Sequence, residues 1–156
     1  MTSPGPTKEV SDWFAAFANF TYDPGSGLKS NFERLATQRG WGWKLRRKRW
    51  TVCQTNCFAA LYGGVAEESK LEKWQDLCRE VQIADSPKSI TDCKKALGRR
   101  DVLVNLVNLI DHRSIGVAVI RFKNYRAFQA YTIDGCIYPR ELAKEEGFIK
   151  ALLRKL

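Results

Sequence analysis

The chemistry that stands out in this chain lies in twelve consecutive residues. From Arg39 to Trp50 the sequence reads RGWGWKLRRKRW, which carries Arg39, Lys44, Arg46, Arg47, Lys48 and Arg49, no acid, and Trp41, Trp43 and Trp50. Arginine forks and lysine ammonium groups bind phosphate, and exposed indole faces stack on nucleobases whatever their identity. A helix starting near Leu45 would put most of these cations in its first turn. There the macrodipole and unpaired N–H groups favour an anion, and each cation costs roughly 0.3–1 kcal/mol. The segment therefore reads as a DNA- or RNA-binding site formed by Arg39, Trp41, Trp43, Lys44, Arg46, Arg47, Lys48 and Arg49. Two other readings fit the same residues. Glu67, Glu68, Glu72, Asp76, Glu80 and Asp85 offer an acidic stretch that would neutralise the cations inside the fold, and a short basic run also suits nuclear localisation. Four successive cations, Arg46 to Arg49, point around most of a helix, so one ligand cannot meet them all.

Other reactive residues are sparse. His112 is the single histidine, and its neighbour Asp111 would diverge from it on a helix. No Gly-rich phosphate loop, nucleophile elbow or paired metal motif is present, so the chain reads as non-catalytic, with no cofactor and no metal. Cys53, Cys57, Cys78, Cys93 and Cys136 are odd in number and lack a C-x-x-C pair, which suits buried thiols in a reducing compartment, nuclear or cytoplasmic. Cys53 and Cys57 share a helix face and would bind a soft metal only with a third ligand. The second partner class is protein. Trp13, Phe14, Phe17, Phe20 and Tyr22 form an aromatic stripe that either docks on a partner or lids the chain's own core. Smaller basic groups, at Lys88, Lys94, Lys95, Arg99 and Arg100 and at Arg113, Arg121, Lys123 and Arg126, are the mild positives a chain of net charge +9 would carry anyway.

These residues need a scaffold, and the composition supplies one. At 156 residues, 44% hydrophobic and 28% charged, the chain has the balance of a single globular domain, expected over 11–156 behind a flexible tail at 1–10. No apolar run is long enough to span a bilayer, so no membrane partner is expected.

Periodicity of three to four dominates, predicting an all-α fold of about seven or eight helices. The expected helices are one capped by Ser11 and stopped at 22–25, one from a Ser30–Glu33 capping box to Gly40, one from Leu45 to Tyr62, and one through Leu71, Trp74, Leu77, Cys78 and Val81. Ser89 with Asp92 should open the next, ended by Gly98. Asp101 to His112 should be a buried central helix with Asp101, Asn105, Asn108 and His112 as its polar stripe. Gly116 to Phe122 reads as extended. A helix through Tyr125, Phe128 and Tyr131 follows, then one opened by Pro139 and lined by Leu142, Ile149, Leu152, Leu153 and Leu156. Phe32, Leu35, Ala36 and Trp41 share their spacing with Trp74, Leu77, Cys78 and Ile83, which suggests two helix-turn-helix-like units.

Four segments carry a resemblance: FANFTYDP (Phe17 to Pro24), NFERLATQRGW (Asn31 to Trp41), SITDCKKAL (Ser89 to Leu97) and GFIKALLRKL (Gly147 to Leu156). Together they resemble a group of small fungal proteins of uncharacterised function, over nearly the whole chain after the tail. The resemblance implies a fungal, intracellular, self-contained domain and assigns no catalytic residue.

Overall fold

The computed structural model describes residues 8–63, 70–143 and 147–154. Among these the fold is all-α, with eight α-helices, one short 3-10 turn and no strand. The helices are α1 (Lys8–Ala15), α2 (Leu28–Arg39), α3 (Trp43–Tyr62), α4 (Lys70–Glu80), α5 (Ile90–Leu97), α6 (Leu106–Ile115), α7 (Tyr125–Ile133) and α8 (Phe148–Leu152). They group into two compact units, one comprising the described residues up to Gly63 with Val107–Ala118, the other the remainder.

In the first unit α1 packs on α3. Val10 and Phe14 of α1, Phe32 and Leu35 of α2, and Cys53 and Cys57 of α3 are buried in its core. α1 begins at Lys8, ahead of the expected Ser11 cap, so residues 8–10 belong to a helix and Val10 is part of the core. It also ends early, at Ala15. Phe17 and Phe20 sit instead in successive turns, whose N–H groups donate to Phe14 and Phe17 carbonyls, with Asn19 left-handed at φ 63°.

α2 starts at Leu28 rather than at the Ser30–Glu33 box, because its cap comes from elsewhere in the chain. The Asp111 carboxylate on α6 accepts from the Leu28 N–H at 2.9 Å, and a Cβ on Gly27 would stand 2.7 Å from that carboxylate. Asn31, fully buried, holds the approach to this cap through the Asp23, Ser26 and Gly27 carbonyls. Burial pushes the Asp111 carboxyl up to about 6, outweighing the lowering effect of the Leu28 N–H.

The second unit packs α4 on α5 and α5 on α8. Ser89 caps α5 as expected, accepting from the Asp92 N–H at 3.1 Å, and Asn124 caps α7 likewise. The expected helix over Asp101 to His112 begins only at Leu106 and runs to Ile115. Val102 to Asn105 are buried but not helical, and Asn105 Nδ2 donates to the Thr132 hydroxyl and the Cys136 carbonyl. β-branched Val102 and Val104 lower helix propensity slightly, and full burial gives this non-helical run the apolar density of a buried helix. Gly116 to Phe122, expected as extended, lies outside any helix, begins left-handed at Gly116 (φ 80°) and ends with the Phe122 N–H donating to Leu103 at 2.9 Å. The expected helix from Pro139 is divided into the 3-10 turn at Arg140–Leu142 and α8; Leu156 lies outside the described residues.

The repeated spacing has a local cause. α2 and α4 end in the same Schellman motif: Trp41 and Ile83 N–H groups donate to Ala36 and Cys78, and Gly40 and Gln82 N–H groups to Thr37 and Arg79. The left-handed residues are Gly40 (φ 65°) and Gln82 (φ 68°). An apolar residue just past such a stop folds back on the helix, which fixes its offset from the buried stripe. Only α2 and α3 are joined by a turn of helix-turn-helix length; nine residues separate α4 from α5.

Two stability predictions follow from these caps. Gln82→Gly removes left-handed strain at an exposed site and should stabilise the chain by about 0.5–1 kcal/mol in denaturant melts, whereas Gly40→Ala should destabilise it. Asp111 binds its proton more tightly folded than unfolded, so its contribution is fully present below pH 4 and is lost as pH rises through 6. Asp111→Asn, which keeps the acceptor, should match wild type near pH 4 and exceed it by about 1–3 kcal/mol at pH 7. Parallel pH profiles for the two proteins would refute this.

Candidate nucleic-acid interface

The interface is built by the α2 stop. Gly40 turns the chain, Trp41 folds back against Phe32 (5.9 Å between ring centroids) and Phe17 (5.8 Å), and extended Gly42 starts α3 at once. α3 therefore begins at Trp43, two residues before the expected Leu45. No side chain caps it and no acid lies in its first turn. The first intrahelical acceptance is Arg46 N–H to Gly42, leaving the N–H groups ahead of it without a helical carbonyl.

The sequence-predicted residues separate by face. Trp43 is 69% exposed, with the Lys44 ammonium 5.7 Å from its ring. Lys44, Arg47, Lys48 and Arg49 are exposed and Arg46 half-buried, and among the described residues none of the five makes an ion pair. Arg49 lies over Trp41 at 5.3 Å. Arg39 lies over Phe17 at 5.9 Å and donates to the Ala18 carbonyl. Trp50 is half-buried against Phe32 at 5.0 Å, so it belongs to the core of the unit. Thus Trp43 is the ring free to stack, Trp41 is a support, and the cations spread over the outer surface of α3's first turns.

Sequence reasoning missed the contribution of α2. Arg34, Gln38 and Arg39 lie at i, i+4 and i+5 and donate to the Thr21, Asn19 and Ala18 carbonyls, pinning the acid-free turn that carries Phe17 and Phe20. Three long donors on one helix face opposite such a turn were the available signal. The aromatic stripe is divided, with Phe14 fully buried under Phe20 and Tyr22 while Trp13 and Phe17 stay half-buried at 5.1 Å from each other.

The smaller basic groups divide, with Lys94, Arg99, Arg113 and Arg121 engaged within the fold and Lys88, Lys95, Arg100, Lys123 and Arg126 exposed. Arg99 and Arg121 both bind Asp101, Arg121 also reaches the Gln82 carbonyl at 2.7 Å, and Arg113 stands over Tyr62 at 3.5 Å while donating to Leu61. Asp76 of the acidic stretch pairs with Arg79 of its own helix; Glu67 and Glu68 lie outside the described residues. All five cysteines are buried as free thiols, and burial pushes Cys78 up to about 12. Among the described residues no group of three or more His, Cys, Asp or Glu is placed to hold a metal ion, and no helix is long and apolar enough to cross a membrane. His112 Nδ1 lies 2.7 Å from the Val117 carbonyl and Asp111 binds Leu28, so these neighbours serve separate contacts.

Exposure separates the tryptophans in a measurable way. Trp43→Ala should change stability by less than about 0.5 kcal/mol, while Trp41→Ala, which removes a ring packed on Phe17 and Phe32, should cost about 2–4 kcal/mol. Equal losses in denaturant unfolding would mean that Trp43 packs as Trp41 does. Comparison with protein-family models, curated proteins and solved structures finds no match to this chain.

Proposed function

We propose that this chain is a non-catalytic nucleic-acid-binding domain, in which the start of α3 holds phosphates and Trp43 stacks on a base. The observation that carries the reading is the group of cations along α3's first two turns, which makes no ion pair among the described residues, with Lys44 and Arg46 in the first turn where the helix dipole disfavours cations. A surface whose charges make no ion pair among the described residues, at a helix start without a side-chain cap, suits a polyanion, and phosphate accepts from backbone N–H and arginine together. The 69% exposed Trp43 favours nucleic acid over a bare polyanion. DNA and RNA both meet these requirements. Residence in the nucleus or cytoplasm, and kinship with the small fungal proteins whose segments the sequence resembles, belong to the same proposal.

A second reading has its own support. Leu45 and Val52, 40% and 42% exposed, lie seven residues apart on α3 with Lys48 and Arg49 between them, a face suited to a protein with an acidic, apolar-flanked surface.

The test separates the two. Binding of labelled oligonucleotides should weaken with salt at a log–log slope of roughly −0.7 to −0.9 per phosphate contact, with about three or four contacts. Lys44→Ala, Arg47→Ala and Lys48→Ala together should remove most of that slope. Trp43→Ala should weaken single-strand binding by about 1–3 kcal/mol and leave the slope unchanged. Absence of salt-dependent binding below about 10 μM at low ionic strength would overturn the nucleic-acid reading in favour of a protein partner.

A further inference from the structure

An open concavity lies beside the same aromatic cluster. An open groove of about 440 Å³ is walled by Lys8, Ser11 and Ala15 of α1 on one side and by Phe20, Tyr22 and Pro24 on the other. Its volume falls within the roughly 300–1,000 Å³ of small-molecule sites. The rings are fixed in place: Tyr22 stacks on buried Phe14 at 5.3 Å and 23°, and Phe20 lies 5.6 Å from Phe14 at 33°. No acid lines the groove. Its polar groups are the Lys8 ammonium and the Ser11, Thr21 and Tyr22 hydroxyls, so it suits a flat, neutral ring with hydrogen-bonding edges attached to an anionic backbone.

A line of capped rings joins the groove to α3. Arg34 lies over Phe20 at 4.9 Å, Arg39 over Phe17 at 5.9 Å and Arg49 over Trp41 at 5.3 Å, and Phe17 and Trp41 are 5.8 Å apart. Arg34 and Arg39 donate to the Thr21 and Ala18 carbonyls, and the Asp23 carboxyl is held below its usual range by the Ser26 hydroxyl, the Gly25 N–H and Arg34. All three arginines are exposed.

We propose that this groove is a nucleobase subsite, which takes one unpaired base of a single strand whose phosphates follow Arg34, Arg39 and Arg49 to the start of α3. The inference rests on the nucleic-acid reading of α3 and adds to it a preference for single strands, because a base held in a duplex cannot leave its stack without paying for unpairing.

Oligothymidylate carrying 4-thiothymidine at successive positions, photo-cross-linked to the full chain and mapped by peptide mass spectrometry, tests this. Cross-links at Phe20 or Tyr22 are expected, in addition to those at Trp43. Ser11→Phe fills the groove and should weaken oligothymidylate binding at least about five-fold, with the salt slope and the affinity for a duplex unchanged. Ala15→Phe, at an exposed position, does the same should Ser11→Phe fail to fold. Cross-links confined to residues 41–50, or wild-type affinity in a folded groove-filled variant, would overturn the subsite and leave the α3 reading intact. Failure of the wild-type chain to bind oligothymidylate at low salt would remove both.

Discussion

The left-handed stop at Gly40 is the constraint on which the exposed basic start of α3 depends. It lets α2 end with its carbonyls satisfied by Gly40 and Trp41 N–H groups, and it returns Trp41 to the Phe17 and Phe32 rings. With Trp41 anchored, only Gly42 separates it from α3, so the basic run is obliged to begin a helix rather than continue one. The electrostatic discomfort of cations at a helix start is thus imposed by backbone geometry three residues before α3 begins. Without that stop, a continuous helix would carry the same residues in its middle, where the dipole has no effect on them.

Helix ends with self-contained chemistry were legible in the sequence, and ends set by distant contacts were not. Ser89 with Asp92, Gly98 and Gly40 behaved as local rules require. Leu28 did not, because its cap is a carboxylate 83 residues away, and no windowed pattern sees Asp111. The run from Val102 to Asn105 failed for another reason: complete burial erases the polar alternation by which helix and extended chain are told apart. Of the candidate site, the cations and Trp43 were readable from type and spacing alone. The support given by Arg34 and Gln38 was not, since it requires α2 to lie across the turn that precedes it.

Asp111 shows how one side chain serves the first unit at some cost. It fixes the start of α2 and would have to shift for any residue larger than glycine at position 27, and it acts from a partly buried place where its charge is poorly solvated. The buried Asn31, neutral and bonded to three carbonyls of the same turn, organises the approach without that penalty.

Arginine in this chain is used mostly on carbonyls rather than on acids. Arg154 donates to Leu97, Arg99 and Val102, Arg113 to Leu61, Arg34 to Thr21 and Arg39 to Ala18. A dipole partner bears no net charge, so dissolved ions screen such a clamp far less than they screen a pair of opposite ions. The fastenings of the fold and any grip on an anionic strand would therefore respond to ionic strength on different scales. Raising salt would release a ligand while the scaffold that shaped its site keeps its form, which makes reversible loading and unloading compatible with a chain of this charge.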